Sequence, residues 1–152
     1  MISFEIPSNL VQEVIGLKSK QSLSMPIVGF TSRTTAMLDL DDMGYHEVKY
    51  WSLKMLEKFS LEGFIILQSS PRHYHVVFDQ EATYENCVSI IANVCLETKN
   101  QGLQKWFLLQ CIKREFTLRI SNKGNKPSPK IVFCFGRQNK EIAEYLQYRQ
   151  MI

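Results

Sequence analysis

Three aspartates end an otherwise apolar stretch of the sequence, in which Ala36-Met37-Leu38 is followed by Asp39-Leu40-Asp41-Asp42. Side chains alternate across a β-strand, so Asp39 and Asp41 are expected to project from the same side. Two carboxylates held this close repel each other, and a divalent cation such as Mg²⁺ or Mn²⁺ would remove that repulsion. Phosphoryl-transfer enzymes use such pairs to hold metals over a triphosphate. The alternative is a solvated turn in which Asp42 caps the next helix, and a motif this short leaves both interpretations open.

Two of the three histidines, His73 and His75, are spaced to share one face of a strand. An imidazole in such a place can bind a metal, a phosphate or a carboxylate. A hairpin whose histidines simply face water would have the same pattern. The preceding Ser69-Ser70-Pro71-Arg72 has the composition of a turn, so we predict a β-hairpin here.

Basic residues are concentrated in the last third of the chain. The central ones lie in a loop, residues 122–129, whose glycine and prolines exclude a continuous helix or strand. Such a surface would attract phosphates in a salt-dependent manner, and a solvated face is the alternative. The basic residues are Lys113, Arg114, Arg119, Lys123, Lys126, Lys130, Arg137 and Lys140.

The composition limits the class of protein. The chain has 152 residues, 45% of them hydrophobic, which predicts a single domain, residues 1–152, with a substantial core. A net charge of +3 is too small to indicate nucleic-acid binding by itself. We find no apolar run of membrane-spanning length, no signal-peptide pattern and no Cys-x-x-Cys pair. These features predict a cytoplasmic, intracellular protein with reduced cysteines and no membrane partner.

The apolar pattern predicts the elements that must position these residues. Strands are expected over 34–41, 64–67, 73–79, 116–121 and 131–135. Helices are expected over 10–17, 45–59, 81–98, 103–111 and 138–149. This order favours an α+β fold with a mixed, mainly antiparallel sheet and helices on one of its faces.

In this order, the motifs resemble those of the archaeo-eukaryotic primase superfamily, which includes the primase-polymerases of plasmids and viruses. The family's first motif is a pair of acidic residues alternating on a strand, and Asp39 and Asp41 match it. Its second motif lies on a hairpin and ends in a histidine, and the stretch from Ser69 to His75 is similar to it. The segment 116–121 resembles the strand near the third motif, so the resemblance covers about residues 34–135.

The resemblance implies an RRM-like sheet of the primase palm type. It also implies Mg²⁺ or Mn²⁺, nucleoside triphosphates, a DNA or RNA template and a larger replication protein as a further partner. Asp39 and Asp41 would hold the metal and act with His75 in nucleotidyl transfer. The nucleotide-binding residues would be Ser70, Arg72, His75, Arg119 and Lys123.

The chain departs from the family at two points. The third motif normally supplies another acidic ligand, whereas only Glu115 stands near that place here. His73 occupies a position where the family usually has a small residue. Nucleotide binding without nucleotidyl transfer is therefore the second form of the primase interpretation.

Two other functions fit parts of the sequence. Rolling-circle replication endonucleases combine a His-hydrophobic-His strand that binds a metal with a tyrosine nucleophile on a later helix, for which Tyr145 and Tyr148 are candidates. A non-catalytic nucleic-acid-binding subunit would stack bases on aromatic residues such as Tyr74 and Phe133. We favour the primase interpretation because it assigns functions to both the acidic pair and the Ser-Ser-Pro turn.

Overall fold

The computed structural model describes the backbone of residues 2–6 and the complete structure of residues 26–152. The predicted helix over 10–17 lies outside the described residues. The strands are β1 (Ile2–Ile6), β2 (Ile27–Ser32), β3 (Thr35–Asp41), β4 (Gly63–Ser70), β5 (His73–Glu81), β6 (Phe116–Arg119) and β7 (Lys130–Gly136). The helices are α1 (Tyr45–Lys58), α2 (Tyr84–Thr98), α3 (Gln101–Lys113) and α4 (Glu141–Gln150).

The strands form two antiparallel sheets. The larger sheet has the order β3-β5-β4-β7 and the smaller sheet has the order β1-β2-β6. The predicted α+β class and antiparallel pairing are confirmed. The smaller sheet was not predicted, because neither β1 nor β2 was identified in the sequence.

The register between β3 and β5 brings the acidic pair beside the histidines. Asp39 lies opposite His75, and Asp41 lies opposite His73. Residues directly opposite each other in an antiparallel pair project to the same face. All four side chains therefore share one face, where β3 ends and β5 begins.

Two helices contact β5 of the larger sheet. Tyr45 of α1 contacts Tyr74 of β5, with 6.3 Å between the ring centroids. The first turn of α4 is bonded to the same strand through Asp79, whose carboxylate accepts the backbone N–H of Ile142 at 2.8 Å. The sequence did not indicate that Asp79 caps α4, and the covering of one face by helices stays a prediction.

A tight turn joins β4 to β5, as predicted. Arg72 has a φ of 63°, a left-handed conformation that is uncommon for residues other than glycine. Its guanidinium donates to the carbonyl of Asp42 at 2.9 Å, and its own carbonyl accepts the N–H of Met43 at 3.2 Å. These bonds tie the turn to the end of β3 and so hold the two halves of the candidate site together.

The four cysteines have different surroundings. Cys87 and Cys95 are buried, and burial raises the pKa of Cys87 to about 12 and that of Cys95 to about 11. All four are free thiols, and Cys111 is half-buried while Cys134 is exposed. No helix within residues 26–152 is long and apolar enough to cross a membrane.

Candidate functional site

An open cavity of about 360 Å³ lies where β3 ends, between β5 and the loop that follows β6. Its lining includes two carboxylates, two imidazoles, two hydroxyls and three cationic side chains. Six of the seven residues predicted as site residues line it: Asp39, Asp41, Ser70, His75, Arg119 and Lys123. The remaining lining residues are Ile27, Ser69, His73 and Lys126.

The inner part of the cavity contains the pair formed by Asp39 and His75. Oδ1 of Asp39 lies 3.6 Å from Nε2 of His75, whose side chain is only 6% exposed. Nδ1 of His75 is buried and has no hydrogen-bond partner within the described residues. Burial, with a smaller effect of Arg119, lowers the pKa of His75 to about 3. The imidazole is therefore neutral at physiological pH and retains a lone pair.

Asp39 is a destabilised carboxylate. Burial is the largest cause and the negative charge of Asp41 the second, and together they raise the pKa of Asp39 to about 7. His73 and Arg119 act in the opposite direction. A divalent cation between the two aspartates would favour the ionised form, since it replaces repulsion by attraction.

The donor set fits a hard cation that takes part of its coordination from other sources. Mg²⁺ usually binds one or two carboxylates, keeps several waters and takes further oxygens from substrate phosphates. Within the described residues, no three His, Cys, Asp or Glu side chains are arranged as a complete ligand set. Asp39 and Asp41 would therefore be the protein ligands, and phosphate and water would complete the shell.

The outer part of the cavity contains a second pair, Asp41 and His73. Oδ1 of Asp41 lies 2.7 Å from Nδ1 of His73, and both side chains are partly exposed. Asn100 fixes the backbone here, because its Nδ2 donates to the carbonyl of Asp41 at 2.6 Å. Oδ1 of Asn100 accepts the N–H of Leu103 at 2.8 Å and so caps α3. The start of α3 is thus joined to the end of β3.

Three cationic side chains also line the cavity. Arg119 is held by donating from Nη1 to the carbonyls of Ser121 and Pro127, the latter at 3.2 Å. Lys123 and Lys126 exchange two backbone hydrogen bonds of 2.9 Å each, which closes a short turn. Both lysines line the cavity from this turn. Side chains of this charge suit phosphate oxygens.

Three candidates from the sequence lie outside the cavity. Arg72 is directed to the Asp42 carbonyl and is not a lining residue. Glu115, the residue nearest to the expected third acid, does not line it either. Tyr74 is 6% exposed, so its ring is not available for base stacking. Within the described residues, the cavity therefore has two carboxylates and no third.

The remaining lining residues were not assigned to the site from the sequence. His73 and Lys126 were considered in the sequence as a possible ligand and as part of a phosphate-attracting surface, and Ser69 lay in the predicted turn, but none of the three was among the predicted nucleotide-binding or metal-binding residues. Ile27 was missed because β2 was not predicted. The run Ile27-Val28-Gly29-Phe30-Thr31, rich in β-branched and aromatic residues, is the signal that indicates this strand.

The raised pKa of Asp39 can be tested through the pH dependence of the free energy of unfolding. The pKa is about 7 in the folded chain and near 3.8 in the unfolded chain, so the stability present below pH 4 is lost as the pH rises through 7. Asp39→Asn removes this loss. Allowing for the 26% exposure of the side chain, we expect a gain of about 1–2 kcal/mol at pH 8 without metal, or roughly 3–6 °C in the unfolding midpoint.

Thermal unfolding at pH 5 and pH 8, with EDTA present, measures this gain. Asp42→Asn is the matched control, because Asp42 is an exposed neighbour outside the cavity. The gain for Asp39→Asn should be small at pH 5 and should grow toward pH 8. An equal gain at both pH values would contradict the assignment.

Comparisons of the chain with protein-family models, with curated proteins and with solved structures found no match. The function is therefore inferred from the residues that line the cavity.

Proposed function

We propose that the protein is a small primase-polymerase-like protein of DNA replication, which binds a nucleoside triphosphate with Mg²⁺ or Mn²⁺ in this cavity. One observation carries the proposal: the acidic pair, His75 and three cationic side chains converge on a single open cavity. The two carboxylates suit a cation, and Arg119, Lys123 and Lys126 suit phosphates. A metal-bound triphosphate has the matching distribution of charge.

Each group would have a separate task in binding. Asp39 and Asp41 would hold the cation, which when bound neutralises phosphate charge and polarises a phosphoryl group. Arg119, Lys123 and Lys126 would bind phosphate oxygens in the same cavity. His75 is neutral and buried, so it can bind a ligand without adding charge. Template and larger replication partners belong to the proposal through the resemblance to primases.

The topology supports the primase interpretation. The elements β3, α1, β4, β5 and α2 follow one another in the chain, and β5 lies between β3 and β4. This is the order of a split β-α-β motif, which we expect for an RRM-like palm. The acidic pair lies on the first strand of the motif, and His75 lies on the return strand of the hairpin, between the other two. β7 extends the sheet beside β4.

Nucleotide binding is better supported than nucleotidyl transfer. Two-metal transfer sites bind a pair of cations about 3.5–4 Å apart, for which further carboxylates are usual. The cavity has two carboxylates within the described residues, and Glu115 does not contribute a third. Binding of a metal-bound nucleotide is the function for which the lining is sufficient.

Equilibrium binding of a fluorescent nucleoside triphosphate tests the proposal. We expect saturable binding with Mn²⁺, loss of binding with EDTA, and weakening as the salt concentration rises. Lys105→Ala is a suitable control, because Lys105 is exposed on α3 and does not line the cavity. Nucleotide binding that is equal with Mn²⁺ and with EDTA would contradict the proposal.

Tyr145 gives a second test, directed at the endonuclease alternative. The residue is fully buried, burial raises its pKa to about 12, and its hydroxyl lies near the guanidinium of Arg149. A phenol in this position cannot reach a DNA phosphate. We expect Tyr145→Phe to leave nucleotide binding unchanged and to lower stability by no more than about 1.5 kcal/mol, because the buried ring is retained and at most one hydrogen bond is lost.

Thermal unfolding measures the change in stability. Denaturing gels of mixtures with labelled single-stranded DNA detect any covalent adduct. Tyr148→Phe serves as the parallel variant, because Tyr148 is only partly buried and packs edge-on against Phe30. A covalent DNA adduct that disappears in Tyr145→Phe would support the endonuclease instead.

A further inference from the structure

The two oxygens of the Asp41 carboxylate have different neighbours. Oδ1 is bonded to Nδ1 of His73 at 2.7 Å. Oδ2 faces the start of α3, where a Cβ placed on Gly102 would lie only 3.3 Å from it and 3.0 Å from Cβ of Asp41. Asp41 therefore has His73 on one side and the start of α3 on the other, and 40% of its side chain is exposed to the cavity and solvent. The hydrogen bond to His73 orients the carboxylate.

These neighbours limit the number of cations that the Asp41 carboxylate can bind. A carboxylate offers about four lone-pair positions. The hydrogen bond from His73 uses one on Oδ1, and the start of α3 lies beside Oδ2. The positions that are left suit one cation shared with Asp39. They do not suit a carboxylate that bridges two cations, which is how paired metals are usually held.

The charge of the cavity also favours the binding of a single cation. Two carboxylates face three cationic side chains, those of Arg119, Lys123 and Lys126. One cation beside the carboxylates balances their charge. A second cation would be repelled by the first cation and by these three side chains.

We propose that the cavity binds a single divalent cation per chain and that His73 is the residue that positions Asp41 for it. This inference rests on the proposed function, since it concerns the same site. Hydrogen bonds to metal-ligating side chains fix the orientation of the ligand, and their loss typically weakens metal binding by about 10–100-fold. His73 has this position relative to Asp41.

The stoichiometry is measured with Mn²⁺ alone, by following the electron paramagnetic resonance signal of the free ion during titration of the full chain. We expect one site per chain that is absent from the variant with both Asp39→Asn and Asp41→Asn. Two sites that depend on the aspartates would overturn the single-cation inference and leave nucleotide binding in place. No site that depends on the aspartates would overturn both.

Variants of His73 test its positioning function in the same titration. We expect His73→Ala to weaken Mn²⁺ binding at least tenfold and His73→Asn to restore most of the affinity, because the asparagine amide can still donate to Asp41. His46→Ala is the matched control, since His46 is an exposed histidine on α1 outside the cavity. Circular dichroism verifies that each variant is folded. Unchanged or tighter binding by folded His73→Ala would overturn the assignment of His73.

Discussion

Replacing both Asp39 and Asp41 by asparagine is expected to weaken metal-dependent binding of a nucleoside triphosphate at least ~100-fold. The two side chains are the only carboxylates that line the cavity within the described residues. Without them the cation loses its protein ligands, and the triphosphate loses the cation that neutralises its charge. Asparagine retains the shape of the side chain. The loss of nucleotide binding would therefore result from the missing charge and metal ligands, and not from a cavity left by the substitution.

Fluorescence anisotropy of a labelled nucleotide in Mn²⁺ measures this loss. Asp42→Asn keeps the same net charge as either single substitution but changes a residue outside the cavity, and it should bind like the unmodified chain. Incorporation of labelled nucleotide on a primed template, measured in parallel, reports transfer separately from binding. If the double variant bound nucleotide within a few-fold of the unmodified chain, the acidic pair would not be part of the site.

Asp39→Asn alone should make the chain more stable while it weakens nucleotide binding. Asp39 carries an energetic penalty that comes from burial and from the neighbouring charge of Asp41. Such a penalty is common where a ligand, rather than the protein itself, supplies the compensating charge. A loss of binding together with a higher unfolding midpoint in Asp39→Asn would exclude unfolding as the cause of the loss.

The local pattern of the sequence identified six of the ten residues that line the cavity. Alternation along β3 and β5 assigns Asp39 and Asp41 to one face, and His73 and His75 to one face of the neighbouring strand. The turn residues predict that the hairpin closes near residue 71. The register that places Asp39 opposite His75 follows only from the pairing of two strands separated by a helix and another strand.

The local pattern could not predict interactions between segments that are far apart in the sequence. β2 pairs with β6 through contacts such as Thr31 opposite Thr117, which are far apart in the sequence. No turn connects these strands, so nothing local indicates that Ile27 and Arg119 line the same cavity. The direction of Arg72 was equally hidden, since it depends on the left-handed backbone of one residue in the turn.

Asp79 is the clearest case of a residue whose function is visible only in the structure. In the sequence it is a single acidic residue at the end of a predicted strand. In the fold its carboxylate is fully buried, and it accepts hydrogen bonds from Nε of Arg137 at 2.7 Å and from the backbone N–H of Lys140 at 3.1 Å. A third bond, from the N–H of Ile142, completes the cap of α4. Its negative charge also lies favourably at the N-terminus of that helix.

The largest loss of stability is expected from Asp79→Ala. The substitution leaves the half-buried guanidinium of Arg137 without its charge partner and leaves two backbone N–H groups at the start of α4 without an acceptor. Breaking a buried ion pair by removing one partner costs about 3–5 kcal/mol. For a chain of this size, that corresponds to a fall of roughly 6–20 °C in the unfolding midpoint.

Chemical and thermal denaturation measure this loss, with Glu81→Ala as the control because Glu81 is an exposed carboxylate on the same strand. Asp79→Asn should fall between the two, since the amide oxygen can still accept from the N–H of Ile142 but no longer balances the charge of Arg137. Because β5 also carries His75, a folded Asp79 variant should bind nucleotide less tightly than the Glu81 control. A cost below about 1 kcal/mol for Asp79→Ala would show that α4 is held in place by its apolar contacts, among them that of Tyr145 with Phe30 of β2, rather than by this cap.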